Sequence, residues 1–279
     1  MFPKLQKSTP VKPFLRWAGG KRQLLNRLLQ FFPADVKNRV YREPFLGAGS
    51  LFFAVQPCKA VISDANKHLI ACFEYVRDCP DLVSRYLREH TKNTSERYYY
   101  KVRQVYNESD YSAAQAARFI YLNKTCFNSI FRVNLSGEFN VPYGKQKHPP
   151  IPTREHLRKV SDVLKSADLF VAPFEEALGH VGKDDFIYLD PPYPPLNGTS
   201  CFNHYTIDKF DDKQQEKLAA MVRDLDSAGC LFMLSNANTK KIRKLYKGFR
   251  VRTLSVTRCI TCKKIRHKVK ELVITNYEV

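Results

Sequence analysis

The stretch Phe186-Ile187-Tyr188-Leu189-Asp190-Pro191-Pro192-Tyr193 decides how this chain reads. Four consecutive apolar, β-prone residues predict a strand buried on both faces, the habit of a central parallel strand. The carboxylate that follows then stands at the strand's carboxyl end, where open α/β sheets bind their ligands. Pro191 and Pro192 remove two backbone donors and hold φ near about −65°. The turn thereby keeps an acceptor carboxylate and carbonyl oxygens beside the ring of Tyr193. Such a corner suits a flat, amine-bearing ring, with Asp190 and a backbone carbonyl accepting from the NH₂ while Tyr193 stacks on its face. The plain alternative is a proline-rich turn after a strand.

Upstream, the order strand, glycine turn, helix, strand, acid is laid out by 40–42, Gly47-Ala48-Gly49, 50–55, 60–63 and Asp64. This is the order of a doubly wound, nucleotide-binding sheet. Gly47 and Gly49 let the backbone approach a ligand, and Asp64 can accept from two ribose hydroxyls. Phe52 stands where a dinucleotide fingerprint needs its third glycine, which argues against NAD. Gly20-Lys21 makes no P-loop, because Leu15 replaces the required glycine and Arg22 the Ser or Thr that would bind Mg²⁺.

Further out, leucines at helical spacing predict a helix over 22–32, ended by Pro33. From 68 to 125 the periodicity is helical throughout, in runs over 69–87, 96–106 and 112–122. This helical lobe closes in a hairpin over 128–147 that turns at Asn134-Leu135-Ser136-Gly137 and carries Arg132, Lys145 and Lys147. A helix at 154–166, strands at 169–171 and 186–189, a helix at 212–227 and a strand at 230–234 restore the α/β pattern. Two strands, 251–256 and 272–277, end it. The expected fold is α/β: a Rossmann-like sheet interrupted by a helical and β-hairpin insert. Residues 1–66 form the first part of the catalytic unit, 67–152 the insert and 153–279 the second part.

Across its 279 residues, 46 Lys and Arg against 27 Asp and Glu leave a net charge of +19, which calls for an anionic partner. Thirteen basic residues and no acid lie between 239 and 270, and nine against the single Asp35 between 1 and 41. Two one-sign runs flanking a catalytic sheet read as phosphate tracks. With 44% hydrophobic and 26% charged residues the chain is globular, not disordered. No run approaches the ~18 apolar residues of a membrane span, and the polar leader predicts a cytoplasmic protein. The eight scattered cysteines read as reduced core thiols. Cys259 and Cys262 followed by His267 make half a zinc site with no second pair, so no metal is expected. Tyr98-Tyr99-Tyr100 reads as helix packing.

Asp190-Pro191-Pro192-Tyr193 does not stand alone. With it come Trp17-Ala18-Gly19-Gly20-Lys21, Phe45-Leu46-Gly47-Ala48-Gly49, Ser63-Asp64-Ala65-Asn66, Gly137-Glu138-Phe139-Asn140-Val141-Pro142-Tyr143-Gly144 and Leu234-Ser235-Asn236. In this order the motifs resemble the Dam-type DNA adenine-N6 methyltransferases, the D12 class, over nearly the whole chain. The resemblance implies S-adenosyl-L-methionine as methyl donor, bound by Trp17, Lys21, Pro44, Phe45, Gly47, Gly49, Asp64 and Asp190, with the lysine on the donor's carboxylate. Catalysis falls to Asp190, Pro191, Pro192 and Tyr193. Double-stranded DNA is the implied partner, contacted by Phe127, Asn128, Ile130, Arg132, Lys145 and Lys147, with the protein a monomer or weak dimer. Arg132 is the candidate for a bidentate contact to guanine, and hairpin packing is the other reading of Phe127 and Ile130. Members with this hairpin read GATC, some related ones GATATC. A base inside a duplex cannot reach such a corner, so the substrate must be flipped out or be single-stranded. A DNA-binding protein without catalysis and an RNA methyltransferase remain the competing readings.

Overall fold

The computed structural model describes residues 10–194, 210–259 and 266–279. Short helical turns at 21–31 include α1 (Leu25–Leu28) and lead into β1 (Val40–Glu43), α2 (Ser50–Val55) and β2 (Lys59–Asp64). Four helices follow: α3 (Lys67–Asp78), α4 (Pro80–Lys92), α5 (Glu96–Asn107) and α6 (Ala113–Thr125). Then come α7 (Arg154–Leu164), β3 (Ala167–Val171), α8 (Phe174–Ala177), β4 (Asp185–Leu189) and α9 (Asp212–Ser227). β5 (Leu231–Ala237), α10 (Lys240–Leu245), β6 (Arg250–Cys259) and β7 (Arg266–Thr275) complete the order.

The strands form one sheet in the order β3-β2-β1-β4-β5-β7-β6. The first five are parallel, and β7 runs antiparallel to both β5 and β6. The strand order reverses between β1 and β4, and the crevice at their carboxyl ends is where such a sheet binds ligands. The loops that open there are 44–49 and 190–194, the two singled out by sequence.

Strand alternation divides the core between the two faces. Phe186 and Tyr188 of β4 join one cluster with Phe14, Leu28, Phe52, Phe73 and the helices α3–α7. Ile187 and Leu189 join another with Leu218 and Val222 of α9, Phe232 and Leu234 of β5, and Ile242 of α10. All five residues of β4 are buried, as a central parallel strand requires. The first cluster continues without a break into α4–α6, so the helices between β2 and β3 share the core of the sheet.

Four features differ from expectation. The helix over 22–32 breaks at Leu24 (φ −99°, ψ −5°) into 3-10 turns around the single turn of α1, with no side-chain cap at any of the ends. So short a run has little stability of its own, and burial of Leu24, Leu28 and Phe32 sets its path. The helix over 69–87 is two helices, because Pro80 pushes Cys79 out of helical geometry (φ −140°, ψ 57°) and opens α4. The hairpin is not a ladder: Val133↔Phe139 and Cys126↔Tyr143 are isolated antiparallel bridges. Side chains of α5 take up the returning backbone instead. Asn107 both donates to the Phe139 carbonyl (3.1 Å) and accepts from its N–H (2.9 Å), while the Tyr99 hydroxyl donates to the Val141 carbonyl (2.8 Å). The final strand pair, read as 251–256 and 272–277, is longer and pairs from Arg250↔Thr275 to Cys259↔Arg266.

Candidate active site

Asp190 leaves the end of β4 with its side chain 18% exposed and its Oδ1 2.7 Å from Lys21 Nζ, which is itself 6% exposed. The same ammonium donates to the Gly19 carbonyl (3.0 Å) and lies 4.7 Å from the centre of the Tyr193 ring. The lysine read as partner of a donor carboxylate thus pairs here with the Asp190 carboxylate. Burial raises the titration of Asp190, and the Lys21 charge pulls it back down. The Tyr193 hydroxyl donates to Glu271 of β7 (3.0 Å), and Gln215 of α9 donates to the Pro192 carbonyl (3.0 Å).

The glycine loop faces this corner across the switch point. Gly47 (φ +49°) takes a left-handed conformation, and a Cβ there would meet Trp17 Cδ1 at 2.8 Å, so only glycine lets the indole lie on the loop. Asp64, at the end of β2, accepts from the Gly47 N–H (3.0 Å) and the Asn66 N–H (2.9 Å), and Asn66 caps α3. Burial raises Asp64 as well, against those two bonds. Pro44 is buried, and Phe45 stacks on Phe174 with ring centres 5.5 Å apart. Trp17, Lys21, Gly47, Asp64, Asp190 and Tyr193 therefore meet at one edge of the sheet. A concave loop braced by a carboxylate and walled by an indole has the features a nucleoside-bearing donor requires.

The residues read as DNA contacts sit on one segment after α6. Phe127 is 43% exposed, and Asn128 beside it is left-handed (φ 53°). Ile130 is half-buried and lines a small cavity with Tyr106, Phe119, Phe131 and Phe139, which favours the packing reading for that residue. Arg132 is exposed and its Nε donates to Asn140 Oδ1 (2.8 Å), which aims the guanidinium. Lys145 and Lys147 are exposed and enter no ion pair among the described residues. The basic run from 239 is exposed along α10, although Lys241 pairs with Asp212 and Glu216, and Arg250 with Glu278. Residues 1–9 and 260–265 of the two basic runs lie outside the described residues, and so does Cys262. Among the described residues no group of His, Cys, Asp or Glu is arranged to hold a metal, and no helix is long and apolar enough to cross a membrane. Cys72, Cys126 and Cys230 are buried free thiols, but Cys58 is exposed, a correction to the core reading.

A family model for D12 class N6 adenine-specific DNA methyltransferases matches residues 17–260. The chain belongs to that family. It is 40% identical to the Type II methyltransferase M.MjaIII of Methanocaldococcus jannaschii over 287 aligned residues, covering 96% of this chain and 99% of that protein. Identity to the Type II methyltransferase M1.LlaDCHI of Lactococcus lactis subsp. cremoris is 37%, covering 96% of each. The DNA adenine methylase of Escherichia coli K12 is 32% identical over 94% of each chain. The protein is therefore an adenine-specific DNA methyltransferase of the D12 class, an enzyme on a methyltransferase sheet.

For a D12 methyltransferase, sequence reasoning left several residues at the site without a role. Glu43 ends β1 two residues before the quoted Phe45–Gly49 motif; burial pushes its carboxyl up to about 8, with the charges of Asp190 and Asp64 adding to the effect. The Tyr41 hydroxyl donates to it (2.7 Å). A carboxyl pushed to about 8 is held neutral near pH 7. Glu271 had a visible signal, a lone acid in a basic segment just before an apolar strand. Gln215 had one too: it occupies the buried stripe of α9 with Leu218, Ala219, Val222 and Leu225.

Proposed function

We propose that this enzyme transfers the methyl group of S-adenosylmethionine to N6 of adenine in duplex DNA, within GATC, on a base flipped out of the helix. The observation that carries the reading is the Asp190–Lys21–Tyr193 cluster facing a glycine loop at the sheet's switch point. The bound donor supplies an electrophilic methyl group. Everything else is positioning. Adenine N6 is a weak nucleophile because its lone pair is delocalised into the ring. Asp190, raised by its burial and pulled back down by the Lys21 charge, accepts from one N6 proton. The Pro192 carbonyl is engaged by Gln215, so the Pro191 carbonyl accepts from the other. Two acceptors favour a more tetrahedral nitrogen, and Tyr193 fixes the plane of the base.

Donor binding falls to Trp17, Lys21, Pro44, Phe45, Gly47, Gly49 and Asp64, where the Trp17 wall, the glycine loop and the half-buried Asp64 carboxylate fit an adenosyl group. Lys21 then exchanges or shares its pair between Asp190 and the donor's carboxylate. The insert 67–152 is the target-recognition unit: Phe127 fills the vacated stack, Arg132 reads guanine, and Lys145 and Lys147 meet phosphates. On this reading the enzyme works in the cytoplasm on nucleoid DNA as a monomer or weak dimer. Transfer of labelled methyl to three duplexes tests it: one with GATC, one with GATATC, and one with the GATC adenine already carrying an N6-methyl. Label in the first alone is expected. Label in the third would place the methyl on another atom, and label in GATATC alone would move the target site.

A further inference from the structure

Leu234-Ser235-Asn236 was singled out in the sequence, but neither the donor loop nor the adenine corner uses it. Ser235 is accounted for by its contact with the Tyr188 hydroxyl (3.0 Å), which ties β5 to β4. Asn236 is fully buried, and its Oδ1 accepts from the backbone N–H of Ala237 (2.7 Å). A backbone N–H can only donate, so the Asn236 amide is fixed with its nitrogen turned away. That Nδ2 donates to Gln215 Oε1 (3.0 Å), which leaves Gln215 Nε2 to donate to the Pro192 carbonyl (3.0 Å). A carbonyl can only accept. Both ends of the relay are backbone groups of fixed polarity, and the two amides between them have a single arrangement. Gln215 is 1% exposed and Asn236 0%, so water does not compete for these bonds.

We infer that Gln215, held by Asn236, is a positioning residue that sets the direction in which the Asp190–Tyr193 corner presents its ring and carbonyls to the target base. The parallel ladder between β4 and β5 stops at Leu189↔Leu234. Beyond it Pro191 and Pro192 have no N–H, so these two central residues of the corner cannot anchor their backbone by donating. With φ of Pro192 held by its ring and the peptide planar, ψ is the one soft backbone dihedral left at that residue. The Gln215 bond to the Pro192 carbonyl fixes it, and this ψ aims the chain at Tyr193. Glu271 then holds the far end of the same ring.

This inference rests on the proposed adenine-N6 transfer. Its test measures kcat and the KM for DNA and for S-adenosylmethionine in the wild type, Gln215→Met and Asn236→Asp, with folding checked by circular dichroism. Gln215→Met keeps the volume and removes the donor; kcat is expected to fall about 10- to 100-fold, the scale of a displaced catalytic group, with both KM values near those of the wild type. Asn236→Asp keeps shape and volume but sets a second acceptor against Gln215 Oε1. The Gln215 amide must then turn its oxygen toward the Pro192 carbonyl, and kcat is expected to fall at least as far. Full kcat in either folded variant, or kcat and both KM values failing together, overturns the inference while wild-type transfer stands. A wild type that puts no methyl on adenine overturns the functional reading, and the relay's role with it.

Discussion

Replacing Asp190 by Ala should separate chemistry from DNA binding, and the structure sets the size of both effects. The substitution removes an acceptor and strands an ammonium: Lys21 is 6% exposed and loses a carboxylate 2.7 Å away. Breaking a buried pair on one side costs about 3–5 kcal/mol. Lys21 keeps the Gly19 carbonyl and the face of Tyr193, so the lower end, about 3 kcal/mol, is expected. In a domain of this size that lowers the melting temperature by roughly 6–10 °C, which leaves the protein folded at 25 °C. Transfer should fall by about 10²–10³-fold, the effect of losing one preorganised group that hydrogen-bonds the reacting centre. Affinity for duplex DNA should change little, because the phosphate contacts proposed above lie on other elements.

The assay combines labelled-methyl transfer, a salt-controlled DNA-binding titration and thermal melting on Asp190→Ala, Lys21→Met and the double variant. Removing both charges leaves no stranded ion, so the double variant should melt above the sum of the two single losses. The coupling expected for residues in direct contact is about 0.5–3 kcal/mol. Additive melting would refute the buried ion pair. Loss of DNA binding together with transfer, in a protein that still melts cooperatively, would refute the assignment of Asp190 to the base.

Glu43→Gln tests the neutral acid at the end of β1. A carboxyl raised to about 8 binds more protons folded than unfolded, so its contribution is complete below its unfolded value and is lost as pH climbs through about 8. The variant should therefore lose less stability than the wild type between about pH 5 and 8, by up to about 1.4 kcal/mol per pH unit; parallel melting curves would show that Glu43 is ionised. Arg132→Ala should cost about 1–3 kcal/mol of discrimination at one guanine, read as kcat/KM on single-base variants of GATC. A uniform loss on all sequences would make Arg132 a phosphate contact. At Gly144 a Cβ would run into the Cys126 carbonyl oxygen, so Gly144→Ala should destabilise by about 2–3 kcal/mol. An unchanged melting temperature would mean that the Cys126–Tyr143 bridge is slack.

The sheet was legible because its signals are local. A run of four apolar residues, a glycine turn and an acid after a strand each follow from neighbouring residues, and their order fixes the topology. The hairpin was half legible. Asn134 and Gly137 form the turn as read, the Asn134 Oδ1 accepting from the N–H of Ser136 and of Glu138. Nothing local to 139–141 shows that its backbone will bond to Asn107 and Tyr99, more than thirty residues away. The helix over 22–32 failed for the related reason that inward burial, not helical periodicity, sets its path. At the site, the residues that would meet a substrate were legible from motif chemistry, whereas the residues that hold them showed a signal but not their partners. Glu271, Gln215 and Asn236 act through contacts between elements far apart in the chain.

One contact ties the two halves of the proposed chemistry together. Trp17 lies on Gly47 with one part of its indole and stacks on Phe131 with ring centres 5.8 Å apart, nearly parallel at 19°. Phe131 stands between Ile130 and Arg132, in the segment assigned to the target. The Arg16 backbone next to Trp17 is clamped by Asn123 of α6, which accepts from its N–H (2.9 Å) and donates to its carbonyl (2.7 Å). The leader therefore cannot shift on the glycine loop without moving against the target segment. Close-packed interiors transmit such displacements instead of absorbing them. Phe131→Leu should consequently weaken S-adenosylmethionine binding, measured calorimetrically without DNA, although residue 131 belongs to the target segment and not to the glycine loop. Unchanged donor affinity in that variant would show that Trp17 is held by Gly47 alone and that the two halves are independent.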